Sequence, residues 1–135
     1  MAKTWQEKLN TKQVPKLKTL EKPMAGIPVG GTLFFPTPQL VKQFMDSIPE
    51  GASVSLAQMR KQLAATHQGD GSCPLSTSKF ARIVAEAAWE EIEAGKEPDQ
   101  VTPFWRVIEP DSTIAKKLAC GSEFLAVMRK QENIE

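Results

Sequence analysis

The chain has 135 residues, of which 41% are hydrophobic and 24% charged, and its formal net charge is +1. These values predict one globular domain, and the absence of any long apolar run or secretory signal excludes a membrane span or an exported precursor. The two cysteines, Cys73 and Cys120, have no CxxC spacing and no histidine cluster beside them. We therefore expect a soluble, cytoplasmic protein with no disulfide framework, no cofactor and no metal.

Lysines are concentrated at the N-terminus. Residues 1–24 hold six lysines and two glutamates, which gives +4 and leaves −3 for the remaining residues. This asymmetry predicts a basic arm that either contacts phosphates or stays solvated. Lys12, Lys16 and Lys18 are its candidate DNA contacts.

The same segment is expected to be extended over residues 1–30. Thr4 and Glu7 form a capping-box pattern that can begin one short helical turn. Three prolines and the pair Gly30–Gly31 follow, and these residues interrupt regular structure. We place the folded domain in residues 31–135, beginning with the short apolar run "TLFF", which suits a strand or an extended edge.

Apolar spacing and capping residues predict helices over residues 38–48, 55–66 and 77–94. Thr37 and Ser55 are the expected N-caps of the first two, and Ser76 or Thr77 of the third. Hydroxyls and backbone amides at such helix starts either cap the helix or hold a phosphate. Ser55, Ser76 and Thr77 are therefore also candidate DNA contacts.

The β-branched and aromatic stretch "VTPFWRVI" predicts a strand over residues 103–108, and "TIAKKL" is expected to return as a second strand or wing. A last helix follows Gly121. The predicted fold is mainly α with a small β element, in the order of a winged helix-turn-helix, an architecture often found on DNA.

The motifs "GASVSLAQMRKQLA", "KFARIVAEA" and "TPFWRVI", in that order, resemble the C-terminal domain of O6-alkylguanine-DNA alkyltransferases. Pro103, Arg106 and Val107 match the family's "P-C-H-R-V" motif. Phe104 stands at the position of the alkyl-accepting cysteine, and Trp105 at that of the activating histidine. The chain also resembles small bacterial proteins of this family that carry a "TPYWR" version of the motif.

The resemblance implies a protein that binds double-stranded DNA without reacting with it. Phe104 cannot accept an alkyl group and Trp105 cannot act as a base, so alkyl transfer at this site is excluded. Glu132 matches the glutamate that orients the family's histidine, and here it is expected to have nothing to orient. Non-catalytic members hold a flipped, alkylated base and attract repair factors, which implies double-stranded DNA and DNA-repair proteins as partners.

The resemblance also implies specific site residues. Arg82 matches the arginine that fills the gap left by a flipped base, although an ion pair with Glu86 four residues later is an alternative. Pro103, Phe104, Trp105 and Arg106 are the candidate base pocket. Because Phe104 and Trp105 are adjacent on the predicted strand, they are expected to point to opposite faces, so at most one lines a pocket.

Two other functions stay open. Leu56 stands where the family has a tyrosine, and Glu86 where it has a glycine. Further carboxylates follow in the third helix, and they would repel phosphates if they faced DNA. A protein-interaction module that kept the fold and lost DNA is therefore the main alternative. An enzyme built on Cys73 is a third possibility, although neither His67 nor any other histidine is near this thiol in sequence.

Overall fold

The structure is a computed structural model that describes residues 4–24 and 26–134. In chain order its helices and strands are α1 (Trp5–Leu9), β1 (Lys16–Thr19), β2 (Thr32–Phe35), α2 (Pro38–Asp46), α3 (Leu56–Thr66), β3 (Gly71–Ser72), α4 (Pro74–Glu93) and α5 (Gly121–Gln131). Three 3-10 turns lie between α4 and α5, at Pro98–Gln100, Phe104–Arg106 and Ala115–Lys117. The predicted composition, mainly α with a small β element, is confirmed. Within the described residues, no helix combines the length and the apolar character needed to cross a membrane.

The first two predicted helices begin where their capping residues place them. The Thr37 hydroxyl accepts the backbone N–H of Leu40 at 3.2 Å and so caps α2. Ser55 caps α3 in a reciprocal pair with Gln58, in which each side chain binds the other residue's backbone N–H. Both helices are confirmed, although α2 ends at Asp46, two residues before the predicted end.

The third predicted helix is confirmed, but its expected caps are wrong. α4 begins at Pro74, and Cys73 occupies the N-cap position without a side-chain cap bond. A proline fits the first helical position because its fixed φ is already helical and its missing N–H would have no partner there. Thr77 lies inside the first turn, where its hydroxyl donates to the Cys73 carbonyl at 2.8 Å.

The expectation that residues 1–30 lack regular structure beyond one helical turn is wrong at β1. The predicted turn is confirmed as α1, with both bonds of the Thr4–Glu7 capping box in place. β1 lies between the prolines rather than across them, so Pro15 and Pro23 do not interrupt its hydrogen bonds. It pairs antiparallel with β2, with Lys16 opposite Phe35.

The strands form a three-stranded sheet in the order β1–β2–β3. β2 is central and also pairs in parallel with β3, with Leu33 opposite Gly71. The "TLFF" strand is therefore confirmed. Its Phe34 joins the main helical core, whereas Leu33 packs with Leu20, Ile27 and Cys73 in a second, smaller cluster.

The predicted strand over residues 103–108 is wrong, because Phe104–Arg106 is a 3-10 turn. The N–H groups of Arg106 and Val107 bond to carbonyls three residues earlier, at 3.1 Å in each case. Phe104, Trp105, Val107 and Ile108 are all buried, so the run is apolar on every side. A fully buried turn has the same β-branched and aromatic composition as a buried strand, and the sequence pattern does not separate the two.

The predicted second strand is also wrong, since the "TIAKKL" segment contains the 3-10 turn Ala115–Lys117. Ala115 is fully buried, while Lys116 and Lys117 are exposed. With both strands replaced by turns, no hairpin follows α4 in the described residues. The β structure of this fold is the three-stranded sheet, whose strands all precede α4 in the chain.

A carboxylate near the C-terminus joins three parts of the chain. Glu132 accepts the indole N–H of Trp105 at 2.7 Å and two guanidinium N–H groups of Arg106 at 2.8 and 2.9 Å. It also accepts the N–H of Gly51 at 3.1 Å, and Gly51 has a φ of +85°, which favours glycine. Arg106 donates further to the Ile48 carbonyl at 2.7 Å. The expectation that Glu132 has nothing to orient is therefore wrong.

We expect Glu132→Ala to destabilise the fold by about 2–3 kcal/mol, because it leaves the Arg106 guanidinium, which is only 14% exposed, without its carboxylate partner. Urea unfolding at neutral pH measures this loss. Glu109→Gln is the matched control, since this carboxylate is exposed and should change stability by less than about 0.5 kcal/mol when its charge is removed. A Glu132→Ala variant as stable as the wild type would show that the carboxylate is not needed.

Stability should also fall in acid through Glu132. Burial alone would raise its pKa, but hydrogen bonds from Arg106, Trp105 and Gly51 outweigh burial and hold the pKa below the usual 4.5. A lowered folded-state pKa contributes stability that is complete above 4.5 and is lost as the pH falls through the folded value. Glu132→Gln should therefore lose less stability than the wild type when the pH is lowered through this range, as measured by urea unfolding at each pH.

Candidate functional site

A cleft of about 700 Å³ lies between α1 and α4. Its cationic lining is Lys8, Lys79, Arg82 and Lys117, and its apolar lining is Trp5, Leu75, Phe80, Ile83 and Ile114. Thr11, Gln13 and Ser78 complete the wall, and none of the described residues that line it is acidic. A group of cations beside apolar side chains favours an anionic ligand with a flat or apolar part.

α1 forms one wall of this cleft because α4 holds it in place. Glu90 accepts the N–H groups of Trp5 and Gln6 at 3.3 and 2.9 Å, so a carboxylate from α4 caps the N-terminus of α1. The Gln6 amide donates to the Ala87 carbonyl at 2.6 Å, and Leu9 is buried in the core. Through these contacts Trp5 and Lys8 face the cationic residues of α4.

Arg82 lies at the centre of the cleft. Its side chain is 38% exposed, and its Nε lies 3.6 Å from a Glu86 carboxylate oxygen. The guanidinium also lies 5.2 Å from the centre of the Trp5 ring and makes one long hydrogen bond, 3.4 Å, to the Lys117 carbonyl. Its buried Nε has no hydrogen-bond partner among the described residues. The alternative ion pair with Glu86 is therefore present in a loose form, and the side chain also lines the cleft.

The carboxylates of α4 are expected from the sequence to repel phosphates if they face DNA. Three of them bind groups of the protein itself. Glu86 is only 3% exposed and accepts the Ala119 N–H at 3.1 Å. Glu90 caps α1, and Glu91 pairs with Lys96 at 2.8 Å. These three side chains bind neighbouring parts of the chain and are not among the residues that line the cleft.

A second cleft of about 460 Å³ continues the first toward β1. The two share Gln13 and Phe80, and the second adds Lys12, Lys16 and Ser76. We call the two clefts together the basic groove. It brings together four of the predicted DNA contacts, namely Arg82, Ser76, Lys12 and Lys16.

The other predicted contacts lie outside the basic groove. Lys18 is exposed on β1 but lines neither cleft. Ser55 is half-buried and its hydroxyl is used as the cap of α3. Thr77 is fully buried and cannot reach a phosphate, so its assignment as a DNA contact is wrong.

The two aromatic rings of the predicted base pocket are buried in the core. Phe104 and Trp105 are 0% and 2% exposed, and their rings pack edge to face at 5.3 Å, with Phe124 stacked on Phe104 at 5.9 Å. Pro103 is also buried, and Arg106 is bound to Glu132. The expectation that these two aromatics face opposite sides of a strand is wrong, because a turn buries both.

The surface beside this turn is acidic. A cleft of about 730 Å³ is lined in part by Pro103, Trp105 and Arg106, together with Asp46, Glu50, Glu97, Asp99 and Glu132. Carboxylates at this density repel phosphates, so the Pro103–Arg106 segment lies beside a surface unsuited to DNA.

Neither cysteine is in the environment of a reactive nucleophile. Burial and the nearby Glu86 carboxylate raise the pKa of the Cys120 thiol to about 11. Cys73 is 8% exposed and belongs to the small core cluster under the sheet. His67 stacks on Phe34 with ring centres 4.4 Å apart. In the part of the chain described, no group of three or more potential ligands is arranged for a metal ion.

Sequence reasoning missed Trp5, Lys79 and Lys117. Lys79 and Arg82 are three residues apart on α4, a spacing that places them on the same helical face. That signal is present in the sequence. Trp5 and Lys117 come from opposite ends of the chain, and only tertiary packing brings them to α4.

No protein-family model matches this chain, and no curated protein or solved structure matches it either.

We expect both cysteines to resist alkylation in the folded protein. A thiol with a pKa of about 11 is only about one-thousandth ionised at about pH 8, and the thiolate is the reactive form. Mass spectrometry after brief iodoacetamide treatment should show the unmodified protein, and urea should expose both thiols. Incubation with duplex DNA containing O6-methylguanine should likewise leave the mass unchanged. A methyl adduct on Cys73 or Cys120 would overturn the non-enzymatic interpretation.

Proposed function

We propose that this protein is a non-catalytic, alkyltransferase-like protein that binds double-stranded DNA through the basic groove. The observation that carries the proposal is the lining of the groove. Its charged residues are Lys8, Lys12, Lys16, Lys79, Arg82 and Lys117, and no acidic residue lines it among those described. Cations grouped in this way bind a phosphate backbone and release its counterions.

The distribution of charge supports this choice. The formal net charge of the whole chain is only +1, so a continuous cationic surface requires that carboxylates lie elsewhere. Five of them line the cleft beside Trp105, and Glu86 and Glu90 are bound to backbone N–H groups. A protein of nearly neutral charge thus presents one face suited to an anionic ligand.

The helix order supports a helix-turn-helix mode of binding. α4 carries Lys79 and Arg82 on the groove, which is the position expected of a recognition helix, and α3 precedes it as the first helix of the pair. The finer assignment as a winged helix rests on the resemblance and on the sheet, since the predicted hairpin after α4 is absent from the described residues.

Recognition of O6-alkylguanine or another damaged base, and recruitment of repair proteins, extend the proposal on the strength of the resemblance. The burial of Phe104, at the position of the acceptor cysteine, agrees with a protein that does not react with the lesion.

A protein-interaction module is the second candidate, and the acidic cleft is the observation that favours it. Asp46, Glu50, Glu97 and Asp99 line this cleft, where Arg106 is the lining cation and Lys42 pairs with Asp46 at 2.8 Å. Such a surface suits a basic segment of a partner protein. The two functions are compatible, because the acidic cleft and the basic groove have no lining residue in common.

We expect duplex binding to weaken steeply as salt rises, and Lys79→Gln with Lys117→Gln to reduce the salt slope by about 2, or about 1 for each phosphate contact removed. Fluorescence anisotropy with a labelled duplex across a salt series measures both the affinity and the slope. Lys130→Gln is the matched control, because Lys130 is exposed on α5 and lines a different cleft. Absence of binding at low salt would leave the interaction module as the function.

A further inference from the structure

The cleft between α1 and α4 contains more than cations. Its floor includes the half-buried indole of Trp5 and the side chains of Ile83 and Ile114, and Leu75 stands 83% exposed at its rim. A phosphate backbone alone requires cations and hydrogen-bond donors, and it gains nothing from an apolar floor. The ligand that fits both parts is a nucleotide whose base has left the duplex.

We propose that this cleft holds one unpaired base, with Trp5 as the surface on which the base stacks. This inference rests on the proposed function, but it assigns the base-binding site to a different part of the molecule. The base would lie between α1 and α4, and not at the Phe104–Trp105 turn where the alkyltransferase resemblance puts it. Both aromatic side chains of the turn are buried and offer no free face for stacking, and the cleft beside them is lined by carboxylates that repel a nucleotide's phosphates.

The size of the cleft agrees with this ligand. Its volume of about 700 Å³ lies within the roughly 300–1,000 Å³ typical of sites for small molecules. A single nucleotide is a small molecule of suitable size, whereas a base that is still paired within a duplex cannot enter the cleft. A base can therefore reach Trp5 only if it is flipped out of the duplex or is unpaired in a bulge.

The cations around Trp5 are placed for the phosphates of such a nucleotide. The Lys8 ammonium lies 4.1 Å from the centre of the Trp5 ring, and the Arg82 guanidinium 5.2 Å. An exposed cation–π contact is weaker than stacking of a base on an aromatic ring, so a base can displace Lys8 from the ring. The displaced ammonium then remains within reach of the flanking phosphate.

Trp5 is the tryptophan suited to this role. Trp105 is buried and bound to Glu132, and Trp89 packs edge to face on Phe124 at 5.0 Å. Neither lines the basic groove. Stacking on Trp5 also tolerates any base, because each base has a π face, so the site would recognise an unpaired base and not a particular sequence.

The test uses three duplexes of the same sequence: one fully paired, one with a single unpaired nucleotide, and one with an abasic residue in place of that nucleotide. The last two carry the same phosphates and differ only in the base. We expect the wild type to bind the bulged base about 10-fold more tightly than the abasic bulge, a ratio within the range expected for stacking of one base. Quenching of tryptophan fluorescence should accompany binding of the bulged base only.

Two variants separate stacking from folding. Trp5→Leu keeps an apolar side chain on α1 and should remove both the 10-fold preference and the quenching, and Trp5→Phe should keep most of the preference. The ratio of bulged-base to abasic affinity is compared within each variant, so a change in the phosphate contacts common to both duplexes cancels. If Trp5→Leu no longer binds the paired duplex either, the substitution has disrupted α1. The affinity ratio of Trp5→Phe is then the test of stacking.

The outcomes distinguish the two proposals. Equal affinity of the wild type for the bulged base and the abasic bulge, with binding of the paired duplex intact, overturns the base site and leaves DNA binding in place. If none of the three duplexes binds at low salt, both the base site and the proposed DNA-binding function are overturned. If a peptide of alternating glutamate and leucine binds while the duplexes do not, the cleft belongs to a protein partner.

Discussion

The Glu132 carboxylate is the interaction on which the arrangement of the C-terminal half depends. It receives hydrogen bonds from Trp105, Arg106 and Gly51, which belong to the turn after α4 and to the loop between α2 and α3. Because Arg106 is bound on one side by Glu132 and on the other by the Ile48 carbonyl, the turn cannot extend into a strand without losing these partners. The same carboxylate binds the indole N–H of Trp105, whose side chain is buried.

Two other glutamates serve the opposite side of the molecule. Glu86 and Glu90 are bound by backbone N–H groups of Ala119 and of α1, so their charge is used to hold neighbouring segments against α4. In these contacts the carboxylate oxygens accept backbone N–H groups, and neither side chain is among the residues that line the basic groove. The cationic character of the groove thus depends on where the acidic side chains are bound, as much as on the number of lysines.

The sequence is sufficient to predict the helices and insufficient to predict the site. Thr37, Ser55 and the apolar spacing of α4 are local signals, and each predicted helix exists. The "TPFWRVI" segment reads as a strand because burial on all sides produces the composition of a strand whatever the backbone does. Arg82 is predictable because it lies on a periodic helix, whereas Trp5 and Lys117 reach it only through tertiary contacts that periodicity does not contain.

The way in which α1 is held has a thermodynamic consequence. A helix of five residues, Trp5–Leu9, is too short to be stable alone in water, so it exists because it is docked on α4. The cleft is complete only in the docked form, and the apparent dissociation constant of any ligand that touches Trp5 or Lys8 equals the intrinsic constant divided by the docked fraction. Ligand binding and ordering of the N-terminal helix are therefore one coupled equilibrium, in which the Glu90 cap sets the affinity of a site that it does not line.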